Sequence, residues 1–268
     1  MQHERRFGVY EVAVHSASNS HRALITLGGI GDMATGHIPF EFQHTAQQAL
    51  PNVHGIFIRD TARSWYNHPE GWAELVAHLK QYLAQHHISE VTLMGLSMGG
   101  FGALVLSLYL PATQVVALSS RTRLLKKPHF DHRNIELIRA IPAIAHQNPL
   151  KHLNPATRYT LVFSIDEKED TVHAGRGLKH PVQLLATRGD HNIGHALRVE
   201  NKLEDFVKTI VMEGSAALSE RDFGFFTPAF EHFWLAAAAL DGYSQAALHA
   251  KAQALPQAHW PSYLAPPV

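Results

Sequence analysis

The chain has 268 residues, 23 Lys+Arg balanced by 23 Asp+Glu, 21 histidines, no cysteine and 46% hydrophobic residues. Balanced charge argues against polyanion binding, which needs clustered Lys and Arg, so nucleic acid is not an expected partner. The lack of cysteine excludes disulfides, Cys-ligated zinc and a thiol nucleophile, and a chain this long can bury a large core without such staples.

The segment Met1 to Glu11 is polar and has no apolar run of the signal-peptide kind. Nowhere does the sequence approach the roughly 18 uninterrupted apolar residues of a membrane span. A cytoplasmic protein without a membrane partner is the default expectation. Phe7 to Val14 alternates loosely and predicts a first strand, and Ala23 to Leu27 a buried one. The second strand runs into the glycine-rich loop Gly28-Gly29-Ile30-Gly31. Val53 to Ile58 predicts a third strand, followed by the polar and aromatic loop Thr61 to Pro69. Between Trp72 and His86, apolar residues recur at helical spacing. Val91 to Met94 predicts a strand, Gly95 to Gly100 a tight turn, and Phe101 to Leu110 a helix stopped by Pro111. Gln114 to Leu118, Tyr159 to Ser164 and Val182 to Thr187 predict further strands, with Ala196 to Met212 as a helix. Thr122 to Arg158 is basic and proline-punctuated, an expected insertion. Strands alternating with helices predict an α/β fold, a mostly parallel sheet covered by helices on both faces. That domain is expected over residues 1–212. An appendage over 213–268 contains an alanine-rich helical hairpin, whose Gly242-Tyr243, Ala246 and Ala254-Leu255-Pro256 are similar to one tetratricopeptide unit. A lone unit cannot bury its own face, so it must pack on the main domain or on a protein partner.

The chemistry concentrates at Gly95-Leu96-Ser97-Met98-Gly99, a G-x-S-x-G pattern between an apolar strand and an apolar helix. A serine on such a turn projects Oγ above the sheet, and the following helix offers N–H groups to a developing oxyanion. A hydroxyl needs a base, and the base an orienting acid. Asp170 is the expected acid, with Asp166 and then Glu167 as alternatives on the same acidic stretch. The expected base is His191, on the loop after its strand; His195 is the alternative. The two histidines at i, i+4 are set aside as a metal pair, no HExxH occurs, and neither metal nor cofactor is expected. One oxyanion donor should be the N–H of Met98. The second should come from the glycine-rich loop, Ile30 first and Gly29 as alternate. Trp65 and Tyr66 are candidates to form a platform for substrate, although both also suit a purely packing role. Arg63, with Arg59, Arg121 and Arg123, is a candidate for binding an anionic substrate group.

Together the serine turn, the Ser–Asp–His order and the glycine-rich loop resemble the α/β-hydrolase superfamily over roughly Phe7 to Met212. Membership would imply cleavage of an ester, thioester or amide through an acyl-enzyme. The expected substrate is a small-molecule or glycan acyl ester. The competing expectation is a catalytically idle hydrolase-fold module acting through its C-terminal helices in a larger assembly, for instance one handling polysaccharide.

Overall fold

In the computed structural model, which describes residues 3–264, the apolar segments form a sheet of eight strands. They are β1 (His3–Phe7), β2 (Tyr10–His15), β3 (Arg22–Leu27), β4 (His54–Asp60), β5 (Glu90–Leu96), β6 (Gln114–Leu118), β7 (Arg158–Ser164) and β8 (Val182–Thr187). The spatial order is β1-β2-β4-β3-β5-β6-β7-β8. β2 runs antiparallel to β1 and β4, and every pairing from β4 to β8 is parallel. This is the α/β architecture expected from the alternating pattern.

Period two divides the central strands between two cores. Ile25, Leu93 and Val115 pack on one face with Leu75 and Leu79 of α2 (Trp72–Gln85) and with Phe101 and Leu104 of α3 (Met98–Leu106). Leu24, Met94 and Val116 pack on the other with α1 (Gln43–Ala49), α6 (Ile193–Val199) and α7 (Leu203–Met212), through Ala46, Leu197, Phe206 and Ile210. Each such side chain contributes about 1.5–3 kcal/mol as an upper figure. The sheet is therefore a rigid floor, and its C-terminal strand ends carry the loops that matter.

Four differences from the sequence-based expectations have physical causes. Phe7 to Val14 is not one strand; Gly8, at φ +54°, turns the chain into the β1–β2 hairpin. Residues 196–212 are two helices, broken where Asn201 adopts a left-handed φ of 57°. The acidic stretch is no loop but α5 (Lys168–Gly175), whose first turn carries Glu169 and Asp170, favourable positions against the helix dipole. The seven-residue α1 was too short to announce itself by periodicity.

Between β6 and β7 lies the expected insertion, containing α4 (Ile135–Ala140). Beyond α7, α8 (Phe230–Leu240) and α9 (Gln245–Ala252) form a hairpin with a small core of Leu235, Ala238, Leu248 and Leu255. Phe233 of α8 lies 5.7 Å from the Phe163 ring and against Gly175 at the end of α5. The hairpin thus packs on the main α/β domain, at β7 and α5. Residues 1–2 and 265–268, the ends of the two expected units, lie outside the described residues. Among the described residues, no helix is long and apolar enough to cross a membrane, and no cluster of three His, Asp or Glu could hold a metal ion.

Candidate active site

Ser97 sits where β5 stops and α3 starts, at φ 56° and ψ −115°. That strained conformation costs of order 1–3 kcal/mol and is held by the packing around it. Its N–H donates to the Leu118 carbonyl at 2.8 Å, anchoring the turn to β6. A Cβ on Gly99 would fall 1.9 Å from the Leu27 carbonyl oxygen, and one on Gly95 2.3 Å from the Gly99 backbone. Neither position tolerates a side chain, which is why small residues flank the serine on both sides.

Asp170 and His191 come together above the strand ends. Nδ1–H of His191 donates to Asp170 Oδ2 at 2.5 Å, and Asp170 is 1% exposed. Helix α5 aims this carboxyl inward from its first turn. The other oxygen, Oδ1, accepts from Arg133 Nη2 at 2.7 Å. Arg133 also grips Asp131, with Nη2 at 2.8 Å from Oδ2 and Nε at 3.0 Å from Oδ1. Asp131 receives Arg121 Nη2 at 2.9 Å and His173 Nε2–H at 3.2 Å. Burial alone would raise the Asp131 carboxyl, but the His173 and Arg133 hydrogen bonds and the two guanidinium charges hold it well below the usual carboxylate range. Burial likewise lowers the pKa of His173, whose Nδ1 accepts from Thr122 N–H. Two arginines and two aspartates thus form a charge-balanced frame behind the imidazole, buried at Arg121, Asp131 and Asp170 and about a third exposed at Arg133. Sequence reasoning missed Asp131 and Arg133, which lie in the insertion with no motif to mark them. Among the described residues no hydrogen bond joins Ser97 Oγ to His191 Nε2. Unliganded sites often close that contact only around a substrate.

The alternatives sit elsewhere. Asp166 accepts from Arg188 Nε at 2.9 Å and Gly189 N–H at 2.8 Å, and its Oδ1 takes Ser262 N–H. It ties the His191 loop to the C-terminal segment. Burial pushes the Asp166 carboxyl upward, but these three donors hold it below its ordinary value. Glu167 stands at the N-cap of α5, and His195 is exposed on α6.

The glycine-rich loop is pinned by its carbonyls. Gly28 O accepts from Tyr66 Oη at 2.9 Å, and Ile30 O from Arg63 Nε at 2.8 Å. A peptide plane joins the carbonyl of one residue to the N–H of the next, so these bonds fix the 28–29 and 30–31 peptides, which flank the 29–30 peptide that carries the Ile30 N–H. Ile30 N–H has no protein acceptor among the described residues, and Met98 N–H is the first of α3, which no helical carbonyl takes. Gly29 N–H, in contrast, is engaged by the Glu41 carboxylate. The expected substrate platform is corrected here: Trp65 and Tyr66 are 2% and 1% exposed and present no face to a ligand. They hold the loop down instead. Arg63 is spent on the Ile30 and Gly36 carbonyls, Arg59 on Glu11 at 2.6 Å, and Arg121 on Asp131. On the acyl-ester reading proposed below, Arg63→Met should lower kcat about ten- to a hundredfold with little change in KM, because it loosens the loop around Ile30 rather than a substrate contact. Initial rates on an aryl ester, with Arg63→Lys as partial rescue, check this; a change in KM alone contradicts it.

Burial raises the Glu41 carboxyl to about 7, against the opposing Gly29 N–H, Arg198 and His191. Its Oε2 is shut off from water without a partner. A folded-state pKa above the unfolded one means stability is full below about 4.5 and is lost as pH rises through about 7. Relative to the parent, Glu41→Gln should gain thermal stability as pH is raised from roughly 5 to 8. A Tm difference that stays constant over that range contradicts the burial of this carboxyl.

No protein-family profile and no curated protein sequence matches the chain. Solved structures do match it. The capsule O-acetyltransferase of Neisseria meningitidis serogroup A superposes with a TM-score of 0.57 at 10% identity, covering 76% of this chain and 93% of that one. Est1E from Butyrivibrio proteoclasticus gives 0.50 at 16% identity, over 77% and 95%. An acylaminoacyl peptidase of Pyrococcus horikoshii gives 0.53 at 13% identity, over 85% of this chain and 43% of that one. The fold is that of the α/β hydrolases. Within the α/β-hydrolase fold, the serine turn after β5, the carboxyl after β7 and the histidine after β8 stand at the strand ends where the fold carries its reactive loops.

Proposed function

We propose that the protein is a serine-dependent hydrolase of carboxylic esters or thioesters that works through an acyl-enzyme on Ser97. The observation that carries this reading is the Asp170–His191 pair, which stands at the same end of the parallel sheet as the serine on its strained strand-to-helix turn. Three separate segments supply these residues. An idle module would gain nothing from burying a carboxylate at 1% exposure against a half-buried imidazole.

In the proposed cycle His191 Nε2 takes the Ser97 Oγ proton as Oγ bonds to the substrate carbonyl carbon. The carbonyl electrons move to the oxygen, which the Met98 and Ile30 N–H groups receive. Each such donor contributes roughly 3–4 kcal/mol to the transition state. Asp170 stabilises the imidazolium, and Arg133 keeps Asp170 in place. Collapse breaks the acyl–oxygen bond, and His191 returns its proton to the departing alcohol. Water then attacks the acyl-enzyme with the same base, or another alcohol does so in an acyl transfer. The neighbouring folds include an O-acetyltransferase, an esterase and a peptidase, so acyl chemistry on this scaffold is supported in general terms.

A fluorophosphonate probe tests the reading directly. The expected result is one covalent adduct, mapped to Ser97 by mass spectrometry and absent after denaturation. An unlabelled native protein would overturn the proposal in favour of an idle interaction module.

A further inference from the structure

A cleft of about 780 Å³ runs between α1 and the α6–α7 pair. This volume falls within the roughly 300–1,000 Å³ of small-molecule sites. Its wall includes Leu96, the residue before Ser97, and Asn192, the residue after His191. Glu41, on the same wall, holds the Gly29 N–H of the glycine-rich loop. The cleft therefore opens beside the proposed chemistry, on the His191 side. The imidazole must hand its proton to the departing alcohol, so that half of an ester extends from the imidazole's side of the site, toward this cleft, whose Glu41 feels the His191 charge.

We propose that this cleft is the subsite for the alcohol half of the substrate and that it takes a neutral polyhydroxylated ring, a sugar. The proposal rests on the acyl-ester reading of Ser97 and adds the substrate class.

Three properties of the wall support it. Its charges are mixed, Glu41 and Glu204 against Arg198, so neither a strongly anionic nor a strongly cationic group is favoured. Planar amides, Gln43, Gln48 and Asn201, share the wall with Phe40, one face of which lies under the Arg59 guanidinium, and with the edge of the largely buried Phe42. A pyranose presents both kinds of surface, hydroxyl edges and C–H faces. Most telling are two buried atoms without partners, Glu41 Oε2 and Gln43 Nε2. An orphaned buried polar atom destabilises the fold, so two on one wall are kept at a cost. The terminal torsions of Glu and Gln are soft, and a small turn brings either atom to a ligand. A hydroxyl both donates and accepts, and so satisfies the amide N–H and the carboxyl alike. With the Glu41 carboxyl raised to about 7, that group offers a donor or an acceptor near neutrality, and a hydroxyl pairs with both forms.

The test measures binding without chemistry. Full-length Ser97→Ala protein is titrated by calorimetry and NMR with methyl glycosides of glucose, galactose, mannose and their N-acetylamino counterparts. At least one should bind saturably. Adding Gln43→Ala should weaken that affinity about tenfold, and adding Gln47→Ala on the same helix should not, which separates lost recognition from a disturbed α1. If none of the glycosides binds, or if both glutamine variants weaken binding equally, the subsite proposal is overturned. These results are distinguishable from failure of the acyl-ester reading. Labelled Ser97 with no glycoside binding leaves the hydrolase standing without this subsite. Glycoside binding with unlabelled Ser97 leaves a sugar-binding cleft on an inactive fold and overturns its assignment as an alcohol subsite.

Discussion

Ser97→Ala is expected to lower kcat on any accepted ester by more than three orders of magnitude while leaving the melting temperature within about 2 °C of the parent. The first half follows from the way triad members act as a unit: with no Oγ there is no acyl-enzyme, whatever the base and acid do. The second half follows from the turn. Ser97 accepts its strained φ of 56° because Leu118 O, Gly95 and Gly99 fix the backbone around it. Alanine inherits that backbone with one atom fewer, and among the described residues the serine hydroxyl has no hydrogen-bond partner whose loss would be felt. What remains would come from the oxyanion donors and binding alone. Purified protein, assayed on an aryl ester beside a thermal melt, gives both numbers. Retention of more than a tenth of the parent kcat would remove Ser97 from the mechanism, because one decade corresponds to only about 1.4 kcal/mol.

The serine turn was legible because its physics is local. A strand, a turn too crowded for any Cβ, and a helix are all written within Val91 to Leu106. Sheet composition was legible for the same reason, since buried parallel strands read as short apolar runs between turn signals. Asp170 and His191 were legible only as members of an order along the chain, and spacing left Asp166, Glu167 and His195 open. What separates them is tertiary. Asp166 is occupied by the C-terminal segment, which the sequence places almost a hundred residues away. Arg133 and Asp131 could not be read at all, because an ion-pair frame that closes behind an imidazole leaves no periodicity. Trp65 and Tyr66 failed in the instructive direction. Aromatic residues in a polar loop suit a ligand platform and a buried anchor equally, and only their exposure decides. The asymmetry is general: motifs set by backbone crowding show in sequence, while partners recruited across loops do not.

Asp170→Asn is expected to cost about four decades in kcat, by analogy with amide replacement of triad acids elsewhere. The carboxylate sits between two donors, Nδ1–H of His191 on Oδ2 and Nη2 of Arg133 on Oδ1. An amide offers one acceptor and one donor to that pair. If its oxygen faces Arg133, its NH₂ meets Nδ1 and drives the imidazole proton to Nε2, leaving no base toward Ser97. If its oxygen faces His191, its NH₂ meets the Arg133 guanidinium at a position where Asp170 was 1% exposed, and that part-buried cation loses a partner. Both arrangements remove the stabilisation of an imidazolium. Asp166→Asn is the control, since Arg188, Gly189 and Ser262 hold that carboxyl away from His191. It should cost less than tenfold in kcat and act mainly on stability, by loosening the clip between the His191 loop and the C-terminal segment. Steady-state rates of the two asparagine variants, each with a melt, decide the matter. If Asp166→Asn is the more damaging to kcat, the 2.5 Å contact of Asp170 with His191 is structural and the orienting acid has been misassigned.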